Sequence, residues 1–172
     1  MDMTTRRLAE LEHHPKRGKL NIAHLKAIHR HIFQDVYPWA GDFRTVNIAR
    51  PGQFYFAFTE QILPCLENLF SGLARDQALD GKPRREQFCA RAAYYMGELN
   101  AIHPFRDGNG RTQREFVRQL ALKHEYSLNW SRITRAAMTE ASIRSFQEAD
   151  SSGLAAILET AIDLESGTNS QP

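Results

Sequence analysis

Twelve consecutive residues, His103-Pro104-Phe105-Arg106-Asp107-Gly108-Asn109-Gly110-Arg111-Thr112-Gln113-Arg114, gather a titratable base, a carboxylate, two glycines, an asparagine and several arginines between two helical patterns. A helix-to-helix turn does not need so much polar chemistry. Gly108 and Gly110 permit positive φ and close backbone approach, and Asn109 tolerates similar geometry while offering a side-chain amide. At a helix start such a segment points unpaired N–H groups outward, where a phosphate can accept them. On a wheel of ~100° per residue, Arg111, Arg114 and Arg118 share one face. Phe116, Val117 and Leu120 lie opposite, so the arginines are expected to face out of the core and grip further phosphate oxygens. Asp107, amid this positive charge, should stay ionised and suits a mostly hydrated Mg²⁺. His103, with an ordinary pKa near ~6.5, can take a proton from an incoming hydroxyl. Base, metal anchor and anion cradle together describe phosphoryl or nucleotidyl transfer. A P-loop is excluded, because no glycine is followed by Lys-Ser or Lys-Thr.

The elements that must position this loop read as helices with one exception. Thr4 to His13 forms a short helix capped by Thr4 or Thr5. Asn21 to Asp35 forms a second, with Ile22, Leu25, Ile28, Ile32 and Val36 as its buried stripe. His24, His29 and His31 raise a metal reading, but helical spacing turns His29 away from the other two, and surface or packed roles are preferred. From Tyr37 to Phe58 the period changes. Phe43 to Ala49 and Phe54 to Phe58 read as strands around the tight reversal Arg50-Pro51-Gly52-Gln53, with Phe54, Phe56 and Phe58 on one face. This hairpin is either a local ornament or a flap whose open edge receives an extended peptide. Thr59 caps a helix that Pro64 should bend. An amphipathic helix from Arg84 to Ala101 leads into His103, with Phe88, Ala92, Tyr95, Met96 and Leu99 as core, and Phe105 anchors the loop. Helices from Asn109 to His124 and from Asn129 or Ser131 onward complete the chain before a polar tail from Ser166. The expected fold is mainly α, a helical bundle with one β-hairpin.

The 172 residues suit a single domain spanning 1–172 with its core at about 20–158. Hydrophobic residues at 42% and charged ones at 24% are ordinary for a globular chain, and a net charge of +2 does not argue for nucleic acid or a membrane partner. Cys65 and Cys89 read as buried free thiols in a reducing compartment. With no apolar run near 18 residues and no secretion signal at the N-terminus, the expected location is cytoplasmic.

The loop matches, at every defined position, the signature HxFx(D/E)GNGRxxR of the Fic domain, and from Leu20 to Leu158 the order of elements also resembles that family. The resemblance implies a protein adenylyltransferase, which transfers AMP from ATP to a Ser, Thr or Tyr hydroxyl of a target protein. By the same resemblance His103 deprotonates the hydroxyl and Asp107 holds Mg²⁺. Gly108, Asn109 and Gly110 form the anion hole, and Arg111 and Arg114 grip the β- and γ-phosphates. The segment holding Val46, Asn47, Ile48, Ala49, Arg50, Gln53 and Phe54 resembles the family's target-docking flap.

Alternatives remain open within this resemblance. In the Doc branch, which transfers the γ-phosphate, a lysine stands where this chain has Gly110, so the glycine favours AMP transfer over a protein kinase. A non-catalytic nucleotide-responsive binding module is the remaining reading. The family's inhibitory pattern (S/T)xxxE(G/N) is missing: Glu159 and Glu165 have Ala155 and Ala161 four residues earlier. The resemblance therefore implies a toxin-type activity restrained by a separate antitoxin whose glutamate reaches Arg114, with delivery into another cell as an effector left open.

Overall fold

Apolar residues recurring at three and four positions set the helices, and their burial drives them together. The computed structural model describes residues 2–50, 52 and 54–163. In chain order come α1 (Met3–His13), α2 (Ile22–Phe33), β1 (Ala49–Arg50), β2 (Phe54–Tyr55), α3 (Thr59–Ala74), α4 (Arg85–Ile102), α5 (Asn109–Lys123), α6 (Arg135–Glu148) and α7 (Ser152–Ala161). Short 3₁₀ turns at Gln77–Leu79 and Trp130–Arg132 join α3 to α4 and α5 to α6. The mainly α class with one antiparallel hairpin is as expected.

The helix running into His103 is not the two-faced helix its pattern promised. α4 packs against α3, α5, α6 and α7 together, and buries Phe88, Cys89, Ala92, Ala93, Tyr95, Met96, Gly97, Leu99 and Ile102. Its small residues allow this close approach: a Cβ on Gly97 would lie 2.4 Å from Ser145 Oγ on α6. A central helix held on several sides is a rigid mount for the residue at its end.

The local details meet some expectations and correct others. The first helix is capped by Asp2, whose carboxylate accepts from Thr4 Oγ1, leaving Thr4 inside the helix. Asn21 caps α2 through the His24 N–H, at 3.0 Å. Val36 is exposed, because α2 ends at Phe33 and the chain turns before it can face the core. The cap of α3 is Phe58, whose N–H donates to Gln61 Oε1 at 3.2 Å, whereas the Thr59 N–H goes to Asn47 Oδ1 at 2.9 Å. α3 continues through Pro64. Cys89 is buried but Cys65 is exposed.

The strands are shorter than expected, two residues each, with Ala49 paired to Tyr55 and Arg50 to Phe54. Gly52 carries the positive φ, 71°, of the expected reversal. Pro51, Gln53, Glu165 and the polar tail from Ser166 lie outside the described residues. Among the described residues no helix is long and apolar enough to cross a membrane.

Candidate active site

α4 ends and α5 begins on either side of the loop, and both ends shape it. His103 caps α4 in the left-handed conformation, φ 51°, its N–H bonded to Leu99 O at 2.9 Å. Gly108 takes φ 81° before α5, and a Cβ there would meet the Phe33 ring at 2.2 Å. Both the backbone angle and the space demand glycine. Gly110, by contrast, lies within the first turn of α5 without a positive φ, and a Cβ there would sit 3.3 Å from Arg114 Nη1. Its use is therefore room beside the arginine and not backbone freedom.

Asn109 also serves differently from expectation. Its side-chain amide is buried and bridges the loop, accepting from Phe105 N at 2.9 Å and donating to Phe105 O at 2.7 Å. What it presents outward is its backbone N–H. The first backbone bond of the helix runs from Thr112 N to Gly108 O, so the N–H groups of Asn109, Gly110 and Arg111 point beyond the helix start without backbone partners among the described residues. Phe105, 1% exposed, anchors the loop below, stacked on His29 at 3.9 Å.

The His103 ring lies flat on Phe56, with centroids 3.8 Å apart. Burial pushes its pKa down to about 4, and the nearby Arg44 and Arg50 push the same way, against the Asn100 carbonyl that favours the charged form. The ring is therefore neutral near pH 7, where an unperturbed histidine would be partly charged. Nδ1 faces Asn100 O at 3.3 Å, which assigns the ring proton to Nδ1 and leaves Nε2 as the proton acceptor.

Arg111 rests its guanidinium over the Phe33 ring at 4.6 Å, donates to Thr4 Oγ1 at 3.1 Å and stands 3.8 Å from Asp107 Oδ2. Arg114 has no acidic partner among the described residues. Burial, then the charges of Arg111 and Arg135, hold its guanidinium below the usual range, so an anion there would relieve it. Arg118 is the exception to the wheel: α1 covers that face, and Arg118 is buried, donating to Leu11 O at 2.8 Å and pairing with Glu115 at 2.8 Å. It is structural.

One cleft of about 720 Å³ brings together His103, Asp107, Gly108, Asn109, Gly110, Arg111 and Arg114, with Trp130, Ile133, Arg135 and Met138 opposite. An adjoining cleft of about 480 Å³ shares His103, Gly110 and Arg114 and reaches Ile48, Ala49 and Arg50 of the hairpin. Val46, Asn47 and Phe54 line neither. Asp107 carries a half-exposed carboxylate, and among the described residues no three His, Cys, Asp or Glu side chains gather around a common point. That donor set fits Mg²⁺ taken up mainly with water and phosphate oxygens, and not a cation caged by protein.

The three histidines of the metal reading go to separate partners. His24 bonds Gln119 at 2.7 Å, His31 faces Glu10 at 3.2 Å, and His29 bridges Gly41 and Asp107.

Residues 19–121 match the Fic/DOC family. The chain belongs to that family. It is 48% identical over 129 residues to protein adenylyltransferase VbhT of Bartonella schoenbuchensis, covering 75% of this chain but 27% of that protein. It is 38% identical over 162 residues to a protein named probable protein adenylyltransferase Fic of Salmonella typhimurium, covering 94% of this chain and 78% of that protein. Among solved structures, BepC, a VirB-translocated effector of Bartonella tribocorum with bound AMPPNP, superposes with a TM-score of 0.87 at 26% identity. That match covers 94% of this chain and 83% of that one. The N-terminal Fic domain of a VirB-translocated Bep effector of Bartonella quintana with bound ADP gives 0.88 at 30% identity, covering 94% and 81%.

Two supports of this Fic site escaped the motif. Arg44, 5% exposed, donates to four carbonyls: His103 at 2.8 Å, Val46 at 3.0 Å, Ile102 at 3.2 Å and Ala57. It ties the hairpin's base to the carbonyl-rich end of α4, where the helix dipole favours a cation. Phe56 is the other, reaching His103 from the strand side while Phe54 stacks on Phe146 at 3.7 Å. Phe58, expected on that packed face, is exposed instead. An arginine and a phenylalanine far from the motif carry no local signal of these contacts.

Proposed function

We propose that this chain transfers AMP from ATP to a hydroxyl of a target protein and releases pyrophosphate. The observation that carries the reading is the His103 ring: neutral, with no partner for Nε2 among the described residues, and facing a cleft that holds both the open N–H groups of α5 and two motif arginines. Nε2 takes the hydroxyl proton as the oxygen attacks the α-phosphorus, and the bond from that phosphorus to the α–β bridging oxygen breaks, that oxygen leaving as a terminal oxygen of pyrophosphate. The N–H groups of Asn109 and Gly110 donate to the phosphoryl oxygens as charge develops on them, at a helix start already positive. Arg111 and Arg114 grip the β- and γ-phosphates, and the space at Gly110 lets the chain of phosphates lie along α5. Asp107 would hold Mg²⁺, whose positive charge offsets that of the phosphates when bound.

The hairpin supplies the place for the acceptor. The bond from Phe56 N to Ile48 O makes that pair the hydrogen-bonded one, so by alternation the N–H and C=O of Ala49 turn to the open edge. An extended target segment adds there as a strand, with Arg50 and Ile48 beside it. The relatives' names and the nucleotides bound in BepC and the Bartonella quintana domain support the same chemistry. Residues 1–172 act on this reading as one Fic domain, and a separate antitoxin with a glutamate directed at Arg114 restrains it. The effector neighbours support delivery into another cell as a further element of the reading.

The test is a mass search for AMP-bearing peptides after expression of wild-type protein and His103→Ala. Modified peptides in the wild type, their absence in the variant, and retained ATP binding by the variant support the reading. Equal modification by both overturns it.

A further inference from the structure

Tyr37 lies 70 positions from Asp107 in sequence, yet its hydroxyl donates to Asp107 Oδ2. The tyrosine is fixed from behind: its ring stacks on Trp39 at 4.2 Å, 11° from parallel, and on Phe33 at 5.7 Å. The loop backbone is fixed from the same side. Gly41 N–H donates to His29 Nδ1 at 2.8 Å, so His29 Nε2 carries its proton and donates to Asp107 O at 3.0 Å. Residues of α2 and the turn after it thus hold both the main chain and the side chain of Asp107.

The carboxylate has a competing partner. Arg111 follows Asp107 by four residues, the spacing at which helix-surface ions pair, yet its Nη2 stands 3.8 Å from Oδ2. No side-chain hydrogen bond among the described residues reaches Oδ1.

We propose that Tyr37 is a positioning residue for the cation-binding carboxylate: it holds Asp107 Oδ2, turns Oδ1 toward the phosphate cleft and keeps the carboxylate from closing onto Arg111. This rests on the reading that Asp107 holds Mg²⁺. Without the hydroxyl, Asp107 rotates toward Arg111, which removes a cation ligand and neutralises a phosphate-binding arginine together. Partners behind a metal ligand typically change metal affinity by about 10- to 100-fold when removed.

The test measures binding of a non-hydrolysable ATP analogue by calorimetry across a Mg²⁺ series and in EDTA, for wild type, Tyr37→Phe and Asp107→Asn. Phenylalanine keeps the stack on Trp39, and a melting curve checks that the fold is retained. The expected result is a Mg²⁺ midpoint about 10-fold higher in Tyr37→Phe, with a distinctly smaller loss of binding in EDTA. An unshifted midpoint in Tyr37→Phe, while Asp107→Asn shifts it, overturns the role of Tyr37 alone. Equal weakening of Tyr37→Phe with and without Mg²⁺ assigns the tyrosine to structure and also overturns it. An unshifted midpoint in Asp107→Asn removes the cation reading and this inference with it.

Discussion

The ring of Phe56 covers the imidazole of His103, with planes 12° from parallel. The hairpin proposed to offer the target edge therefore also desolvates the proposed base. Phe56→Ala should cost about 2 kcal/mol of stability, the loss being partial because the ring is only half-buried. It should also raise the His103 pKa toward its ordinary value and lower transfer about tenfold through a mobile ring. Urea unfolding and a transfer assay check it, and unchanged transfer contradicts the coupling.

The depressed pKa of His103 has a signed consequence. The folded value, about 4, lies below the ordinary 6.5, so as pH falls the unfolded chain takes this proton first. The group costs nothing above about pH 6.5, and stability is lost between there and about 4, on the order of 3 kcal/mol in all. The imidazole signals in an NMR titration should move with a midpoint about 4; a midpoint near 6.5 contradicts the buried neutral base.

Arg44 should be intolerant of change. Arg44→Met removes the donor from the carbonyls of His103, Ile102 and Ala57, and each such group left unpaired away from water typically costs about 1–3 kcal/mol. A loss of at least about 3 kcal/mol is expected in denaturant unfolding, with Arg44→Lys recovering part of it. A loss under about 1 kcal/mol would show that the carbonyls find other donors.

The two loop glycines should separate cleanly. Gly108→Ala meets both a positive φ and the Phe33 ring, and should destabilise by more than about 2 kcal/mol. Gly110→Ala should change stability by less than about 1 kcal/mol, since alanine suits a helix, yet weaken ATP binding by crowding Arg114. Calorimetry and melting curves on both variants check the contrast.

The loop was legible because its signature is local: glycine, asparagine and arginine at fixed offsets mark the family whatever surrounds them. The helices were legible for the same reason, through their spacing. What escaped are contacts made across the fold. Arg44 lies 59 residues from His103, and Tyr37 lies 70 from Asp107. Wheel angles placed Arg118 on the arginine face but said nothing of α1, which covers it. The pattern of α4 showed its larger apolar residues but not that Ala92, Ala93 and Gly97 would bring neighbours onto its other sides. The length of the strands was overestimated because aromatic and β-branched residues around the hairpin serve packing more than pairing.

The central claim is the site of attack on ATP. Wild-type protein incubated with its cellular target fraction and ATP labelled separately at the α- and γ-phosphates gives the direct answer. Label in protein from the α-position alone, lost in His103→Ala, is the predicted result. Label from the γ-position would make the chain a kinase, and no covalent label with ATP still bound would make it a binding module; either contradicts AMP transfer.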